Sequence, residues 1–163
     1  MIKFIRVSQH RPDEIASVRI DAVCWRHRKI PLSRSRHVIG RYSPGPGRTG
    51  VPFESLAECR AIAYLYSLPG VRLVVSQPFT IRYRLNNSRR LYTPDLLVVA
   101  DELPVVLVRN GFGEATVLEV KAAIDPATRA VIDFKLHLSI HATGLPAMVV
   151  VSEETDKEVD HAL

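Results

Sequence analysis

Two short segments carry the side chains whose types and spacing could do chemistry. Thr93-Pro94-Asp95 lies in one predicted strand and Glu119-Val120-Lys121 in another, 24 positions further along from the aspartate to the glutamate. Residues two apart in a strand point to the same face, about 7 Å from each other. Glu119 and Lys121 are therefore predicted to project together, with Val120 turned into the core. If the strand of Asp95 is adjacent, two carboxylates converge where a hard divalent cation can bind.

Phosphodiester hydrolysis needs the three parts that these residues would provide. The carboxylates would hold a Lewis-acidic cation, while the Lys121 ammonium would orient or help deprotonate an attacking water and offset charge on phosphorus. The alternative is a solvated Glu119–Lys121 pair with Asp95 at the entry of a strand. The apolar neighbours of both carboxylates favour the site, because a carboxylate inside an apolar strand is costly unless it is paired or metal-bound.

A fourth carboxylate, Glu58, lies near the start of a predicted helix from Ser55 to Leu68. It shares a helical stripe with Ile62 and Leu65, which predicts that it points toward the sheet. There it would complete a two-metal site or hold a metal-bound water. Alternatively, Glu58 is the reciprocal member of a capping box with Ser55. Glu54, one turn earlier, is a weaker candidate on the same face.

Hydrophobic periodicity predicts the elements that must position these residues. A helix from Asp13 to Lys29 is expected first, and a second long helix, Pro126 to Ala142, follows most of the strands. The sequence of helix, strands, helix and strand indicates an α/β protein with a mixed sheet flanked by helices. Strands are predicted at Val71–Ser76, Phe79–Leu85, Leu91–Ala100, Pro104–Arg109, Thr116–Ala122 and Ala147–Val151.

Charge is unevenly distributed along the 163 residues, whose formal net charge is +5. Residues 1–50 hold 11 Lys and Arg against 3 Asp and Glu, whereas residues 51–163 hold 11 against 14. This predicts a basic amino-terminal helix and extended arm (1–50) beside a nuclease core (51–163), with the arm contacting phosphates of double-stranded DNA. A solvated tail is the alternative. The arginines expected to contact DNA are Arg34, Arg36, Arg41 and Arg48.

Other features exclude several classes of protein. No apolar run approaches the roughly 18 residues that span a bilayer, so no membrane partner is expected. The first residues lack the apolar stretch of a signal peptide, and Cys24 and Cys59 form no Cys/His metal spacing. These observations predict a single-domain cytoplasmic protein with reduced thiols.

The ordered set Glu58, Pro94-Asp95 and Glu119-Val120-Lys121 resembles the PD-(D/E)xK nuclease superfamily. Several passages more narrowly resemble TnsA, the endonuclease subunit of heteromeric transposases, over about residues 30 to 155. A lone Glu-x-Lys motif is common, whereas the ordered series is much more specific. The passages are Arg-Ser-Arg-His-Val-Ile-Gly (34–40), Phe-Glu-Ser-Leu-Ala-Glu (53–58), Pro-Gly-Val (69–71), Ser-Gln-Pro-Phe-Thr-Ile-Arg-Tyr (76–83) and Tyr-Thr-Pro-Asp-Leu-Leu (92–97).

The resemblance implies a restriction-endonuclease-like αβββαβ core and Mg²⁺-dependent cleavage of DNA at transposon ends, with Mn²⁺ as a substitute. Asp95, Glu119 and Glu58 would be metal ligands, Lys121 the catalytic lysine, and Gln77 a supporting residue. The implied partners are a transposase subunit and an ATPase regulator, and a homodimer is a further expectation. The alternatives are a stand-alone restriction, repair or phage nuclease and a non-catalytic DNA-binding module.

Overall fold

The computed structural model describes residues 1–9, 12–26 and 38–153 of the chain. Ten strands, two longer helices, one short α-helix and a 3-10 helix at Asp13–Ser17 make up the described secondary structure. The helices are α1 (Leu56–Ser67), α2 (Val105–Asn110) and α3 (Pro126–Thr143). The strands are β1 (Ile2–Arg6), β2 (Arg19–Cys24), β3 (Gly40–Tyr42), β4 (Val51–Phe53), β5 (Val71–Ser76), β6 (Thr80–Leu85), β7 (Ser88–Tyr92), β8 (Leu96–Ala100), β9 (Ala115–Lys121) and β10 (Ala147–Ser152).

The main sheet has five strands in the order β1-β10-β9-β8-β5. β9 and β10 are parallel, and the other three neighbouring pairs are antiparallel, so the sheet is mixed as predicted. Every residue of β10 is buried, which explains its unbroken apolar sequence in a strand covered on both faces. After β1, the other four strands of this sheet and the two longer helices follow the order α1, β5, β8, β9, α3, β10 along the chain.

Two apolar clusters cover the opposite faces of the main sheet. Leu118 and Val120 of β9 belong to the cluster built around α1, whereas Val117 belongs to the cluster built around α3. This alternation follows from the period of two in a strand. It also places Glu119, between Leu118 and Val120, on the α3 side of the sheet.

A second sheet, in the order β2-β6-β7, packs with its inner face against α3. β6 and β7 form a hairpin with the two-residue turn Asn86-Asn87. Both turn residues have positive φ, 50° and 61°, which is the backbone of a type I′ turn and suits asparagine. β3 and β4 form a separate two-stranded sheet.

Several sequence predictions of local structure are confirmed. The helix beginning at Ser55 is α1, with the Ser55 hydroxyl accepting from the Glu58 N–H as its cap. The helix predicted from Pro126 is α3, with Asp125 at its N-cap and a left-handed Gly144 at its end. The strands predicted at 71–76, 79–85, 116–122 and 147–151 are present as β5, β6, β9 and β10. No helix in the described residues is long and apolar enough to cross a membrane.

The helix predicted from Asp13 to Lys29 is wrong over its described part. Residues 13–17 form a 3-10 helix, and Arg19–Cys24 is a strand paired with β6. Ile15 is buried as expected, but Trp25 packs on Phe79, with ring centroids 4.6 Å apart. The pairing of β2 with β6 therefore outweighs the helical spacing of the apolar residues in this segment.

Residues 1–50 contribute strands to all three sheets rather than standing apart as a helix and an arm. β1 is an edge strand of the main sheet, β2 an edge strand of the second, and β3 pairs with β4. Part of the segment predicted to be extended, Pro31–Gly50, is therefore a strand. Its first seven residues lie outside the described part of the chain.

Two predicted strands differ in the structure. The strand predicted at Pro104–Arg109 is wrong, because Val105–Asn110 forms the helix α2. This helix is capped by Gly111, whose φ is 88°. Only Leu107 of α2 is fully buried, so the β-branched run Val105-Val106 does not form a strand face. The single strand Leu91–Ala100 is also wrong. It is interrupted at Thr93-Pro94-Asp95, and its two halves, β7 and β8, belong to different sheets.

Candidate active site

Asp95 lies in the link between the two sheets, immediately before β8 begins. β8 pairs antiparallel with β9, with Leu96 opposite Leu118, which brings Asp95 to the carboxyl-terminal end of β9. Asp95 Oδ2 accepts hydrogen bonds from the Val120 N–H at 2.7 Å and from Lys121 Nζ at 3.3 Å. The strand that follows Asp95 is therefore adjacent to that of Glu119, which is the condition under which the two carboxylates were expected to converge.

The polypeptide around Asp95 is held by three further contacts. The Gln77 N–H donates to the Asp95 carbonyl at 2.9 Å, and Gln77 has a positive φ of 47°. A hydrogen bond of 2.7 Å joins the hydroxyls of Thr80, on β6, and Thr93, in the link between the sheets. Pro94 removes one N–H donor at the break between the strands. These contacts support the position of Asp95, and they are consistent with a supporting role for Gln77.

Glu119 is almost fully buried, at 2% exposure, and its carboxylate has three partners. Oε1 lies 3.0 Å from Lys121 Nζ and 3.4 Å from Lys135 Nζ. Oε2 accepts from the Tyr92 hydroxyl at 3.0 Å. These contacts offset the cost of burying a carboxylate on an apolar strand. They also confirm that Glu119 and Lys121 project to one side of β9 while Val120 enters the core.

The Lys121 ammonium bridges the two carboxylates. Its side chain is 30% exposed, compared with 24% for Asp95 and 3% for Glu119. Burial alone would lower the pKa of Lys121, but the charges of Asp95 and Glu119 raise it above its ordinary value. Lys121 is therefore an ammonium at neutral pH.

The negative charge of Asp95 is unfavourable in the protein alone. Burial, followed by repulsion from Glu119, raises the pKa of Asp95 to about 7, although Lys121 and the Val120 N–H oppose that rise. Burial also raises the pKa of Tyr92 well above its usual range, so the phenol remains a hydrogen-bond donor to Glu119. A buried carboxylate whose ionisation is disfavoured marks a place where an added cation would be stabilising.

Asp95 and Glu119 provide the oxygen donors that fit Mg²⁺. Within residues 1–9, 12–26 and 38–153, no group of three or more His, Cys, Asp and Glu side chains is arranged to hold a metal ion. Two carboxylates are nevertheless enough for Mg²⁺, which usually binds one or two and takes its other ligands from water and substrate phosphate. The raised pKa of Asp95 agrees with this donor set, since a cation would favour the ionised form.

Glu58 lies at the start of α1 with both carboxylate oxygens in local hydrogen bonds. Oε1 accepts from the Ser55 hydroxyl at 3.0 Å, and Oε2 accepts from the Glu54 N–H at 2.9 Å. The second contact replaces the Ser55 N–H of an ordinary capping box. Burial raises the pKa of Glu58, while the hydrogen bonds from Glu54 and Ser55 and, more weakly, the charge of Lys121 lower it. The structure accounts for Glu58 by capping, and its metal role stays a prediction.

The Glu119 carboxylate has two partners that were not predicted from the sequence, Tyr92 and Lys135. Lys135 lies on α3, and its ammonium lies 5.5 Å from the centroid of the Tyr92 ring. The strand alternation around Tyr92 offered a signal for its burial, but nothing in the sequence pairs its hydroxyl with Glu119, because that contact joins two sheets.

Two of the predicted DNA-binding arginines lie within the described residues, and their printed contacts are with groups other than the candidate carboxylates. Arg41 on β3 donates to the Gly50 carbonyl at 2.9 Å, and the Arg48 guanidinium lies 5.4 Å from the centre of the Tyr66 ring. Arg34 and Arg36 lie outside the described residues.

Comparison of the chain with known protein families, with curated proteins and with solved structures found no match. The class defined by the fold is an α/β protein with a mixed five-stranded sheet. Its distinguishing feature is an Asp–Glu–Lys cluster formed where β8 and β9 meet.

Proposed function

We propose that the chain is a Mg²⁺-dependent endonuclease that hydrolyses phosphodiester bonds in double-stranded DNA. The observation that carries the proposal is the bridging of Asp95 and Glu119 by one lysine, at 3.3 and 3.0 Å. The order of elements around the main sheet, helix, three strands, helix and strand, supports a restriction-endonuclease-like core. It is the order that the resemblance to PD-(D/E)xK nucleases implies.

In this proposal Asp95 and Glu119 hold the metal, and Glu58 joins them by giving up a capping contact. Bound Mg²⁺ would supply Lewis acidity and lower the pKa of a coordinated water. Tyr92 and Lys135 keep the Glu119 carboxylate in one orientation through its two oxygens. Asp95 is held by the Val120 N–H, which fixes its Oδ2 relative to the end of β9.

The role that suits Lys121 is that of a permanent positive charge. Because its pKa is raised, the ammonium would donate hydrogen bonds to an attacking water or to a phosphate oxygen rather than accept a proton. Such a donor offsets the negative charge that develops on phosphorus in the transition state. With Asp95 and Glu119 holding the metal, the Lys121 ammonium would be free to donate to a phosphate oxygen.

The narrower proposal is a TnsA-like subunit that cuts transposon ends with a transposase and an ATPase regulator. It rests on the sequence passages from 34 to 97 that resemble that family. A stand-alone nuclease would use the same residues with different partners. Genes for a transposase and an ATPase beside this one would support the narrower role.

A plasmid-nicking assay tests the enzyme assignment. The purified protein should convert supercoiled plasmid to the nicked form with Mg²⁺ or Mn²⁺, and a chelator should stop the reaction. Asp95→Ala and Lys121→Ala should each lower the rate by more than about 100-fold. Lys3→Ala is the matched control, because Lys3 is an exposed lysine on the edge strand β1, where it pairs with Glu153 at 2.7 Å. Nicking by Lys121→Ala at the rate of Lys3→Ala would overturn the proposal.

A further inference from the structure

The outward face of the β2-β6-β7 sheet carries four arginines, which we call the arginine face. Ile81, Tyr83 and Tyr92 on these strands are buried toward α3, so the alternate residues point outward. Arg82 and Arg89 are exposed, and Leu91, opposite Arg82, is 69% exposed. The arginine face consists of Arg19, Arg82, Arg84 and Arg89.

Three of these arginines stand in one row across the three strands. Arg84 is directly opposite Arg89 on one side and Arg19 on the other. Neighbouring strands are about 4.8 Å apart, so the row is about 10 Å long, and Arg82 lies about 7 Å further along β6. Like charges directly opposite each other destabilise a sheet, and this arrangement therefore acts against the stability of the fold.

Little negative charge within the protein compensates the arginine face. Asp21 pairs with Arg84 at 3.1 Å and more distantly with Arg19 at 3.8 Å. In the described part of the chain, no carboxylate pairs with Arg82 or Arg89. Four arginines against one aspartate leave this small surface with a formal charge of +3. Such a surface complements a dense polyanion.

We propose that the arginine face binds the phosphate backbone of the double-stranded DNA that the nuclease cuts. Duplex DNA carries one negative charge per about 1.7 Å of its axis, a density that four clustered guanidinium groups match. Guanidinium groups also bind phosphate oxygens in a bidentate geometry. The substrate in this inference rests on the proposed function, whereas the surface does not depend on it.

The arginine face is close to the candidate active site along the chain. Arg89 and Asp95 are six residues apart along β7 and the link that follows it, which is at most about 20 Å of extended chain. That length corresponds to about six base-pair steps of 3.4 Å. The last residue of β7, Tyr92, turns inward and donates to Glu119. Arg89 therefore lies at most about 20 Å from Asp95, although the arginine face and the Tyr92 hydroxyl are on opposite faces of the second sheet.

The test is equilibrium binding of a fluorescent DNA duplex in the presence of a chelator, so that no cleavage is required. Arg82→Gln with Arg89→Gln removes two exposed arginines that lack an ion pair to a described carboxylate. The matched control, Arg72→Gln with Arg109→Gln, removes the same charge from exposed arginines on β5 and α2. Circular dichroism should show both double variants folded, because surface substitutions of this kind change stability little.

We expect the Arg82/Arg89 variant to bind the duplex at least about tenfold more weakly than the parent near 0.1 M salt, with a salt slope smaller by about 1.8. The control should change affinity by less than about threefold. Equal losses in both variants, or a loss greater for single-stranded DNA or RNA than for duplex, would overturn the inference. If the Arg82/Arg89 variant loses affinity for the duplex while the parent protein nicks no plasmid, the proposed nuclease function is wrong and the arginine face is still a DNA-binding surface. If the parent protein nicks plasmid while the Arg82/Arg89 variant binds the duplex as tightly as the parent, the nuclease function is supported and only the role of the arginine face is wrong.

Discussion

Replacement of Asp95 by asparagine should stabilise the metal-free protein at alkaline pH. The asparagine side chain has nearly the same shape as that of aspartate, and its carbonyl oxygen can still accept from the Val120 N–H, which now donates at 2.7 Å. The substitution removes a negative charge that burial and Glu119 both disfavour. The attraction of Lys121 for that charge is lost as well, but Lys121 keeps Glu119 at 3.0 Å.

The magnitude follows from the pKa of Asp95, which rises from 3.8 to about 7 on folding. A carboxyl whose pKa is raised in the native state adds stability below its unfolded pKa, and this stability is lost as pH rises through the native pKa. Ionised Asp95 therefore costs up to about 4 kcal/mol above pH 7. We expect Asp95→Asn to increase the free energy of unfolding by about 2 to 4 kcal/mol at pH 8.5. At pH 5 the difference should fall below about 1 kcal/mol.

The assay is urea unfolding at both pH values in the presence of a chelator, followed by circular dichroism and by the fluorescence of Trp25, the only tryptophan. Asp101→Asn is the control, because Asp101 is a carboxylate with 67% of its side chain exposed. Its effect should stay within about 1 kcal/mol at either pH. Asp95→Asn less stable than the parent at pH 8.5, or an effect independent of pH, would refute the reasoning, since the Lys121 pair would then outweigh burial and repulsion.

Three further substitutions separate the roles of the neighbouring groups. Lys121→Ala should abolish nicking yet keep Mn²⁺ binding by calorimetry, slightly tightened because a like charge is gone; loss of binding would make the lysine a structural partner of the carboxylates. Tyr92→Phe should lower the free energy of unfolding by about 1 to 3 kcal/mol in a urea titration, because buried Glu119 Oε2 loses the hydroxyl that donates to it; unchanged stability would contradict that account. Glu58→Gln keeps an acceptor for the Glu54 N–H, so stability should change by less than about 1 kcal/mol while nicking falls at least about tenfold. Unaltered nicking would leave Glu58 with capping alone.

The strand pattern was sufficient to predict the pair on β9 but not its surroundings. Glu119 and Lys121 share a face because side chains alternate along any strand, and this local rule held. The adjacency of the strand that follows Asp95 was a condition that the sequence left open, and the structure meets it. Asp95 itself lies outside the strand, because Pro94 marks a change of sheet that hydrophobicity alone does not reveal.

The contacts that complete the cluster depend on how α3 and the second sheet pack. Tyr92 and Lys135 are 43 residues apart, and they meet at the Glu119 carboxylate. No periodicity in either element encodes that distance. For the same reason β2 was predicted as a helix, because its pairing with β6 joins segments about 60 residues apart.

The pairing of β1 with β10 has a consequence for how the protein folds. Ile2 lies opposite Ser152, so the edge of the main sheet joins residues separated by 150 positions. Contacts of such long sequence separation form late, because closing the intervening loop costs entropy before any pairing is gained. On the ribosome, β9 would have one open edge until β10 emerges, and that edge includes the backbone beside Glu119 and Lys121. We therefore expect a nascent chain to complete the main sheet only after β10 has emerged, and to depend until then on protection of an apolar strand edge.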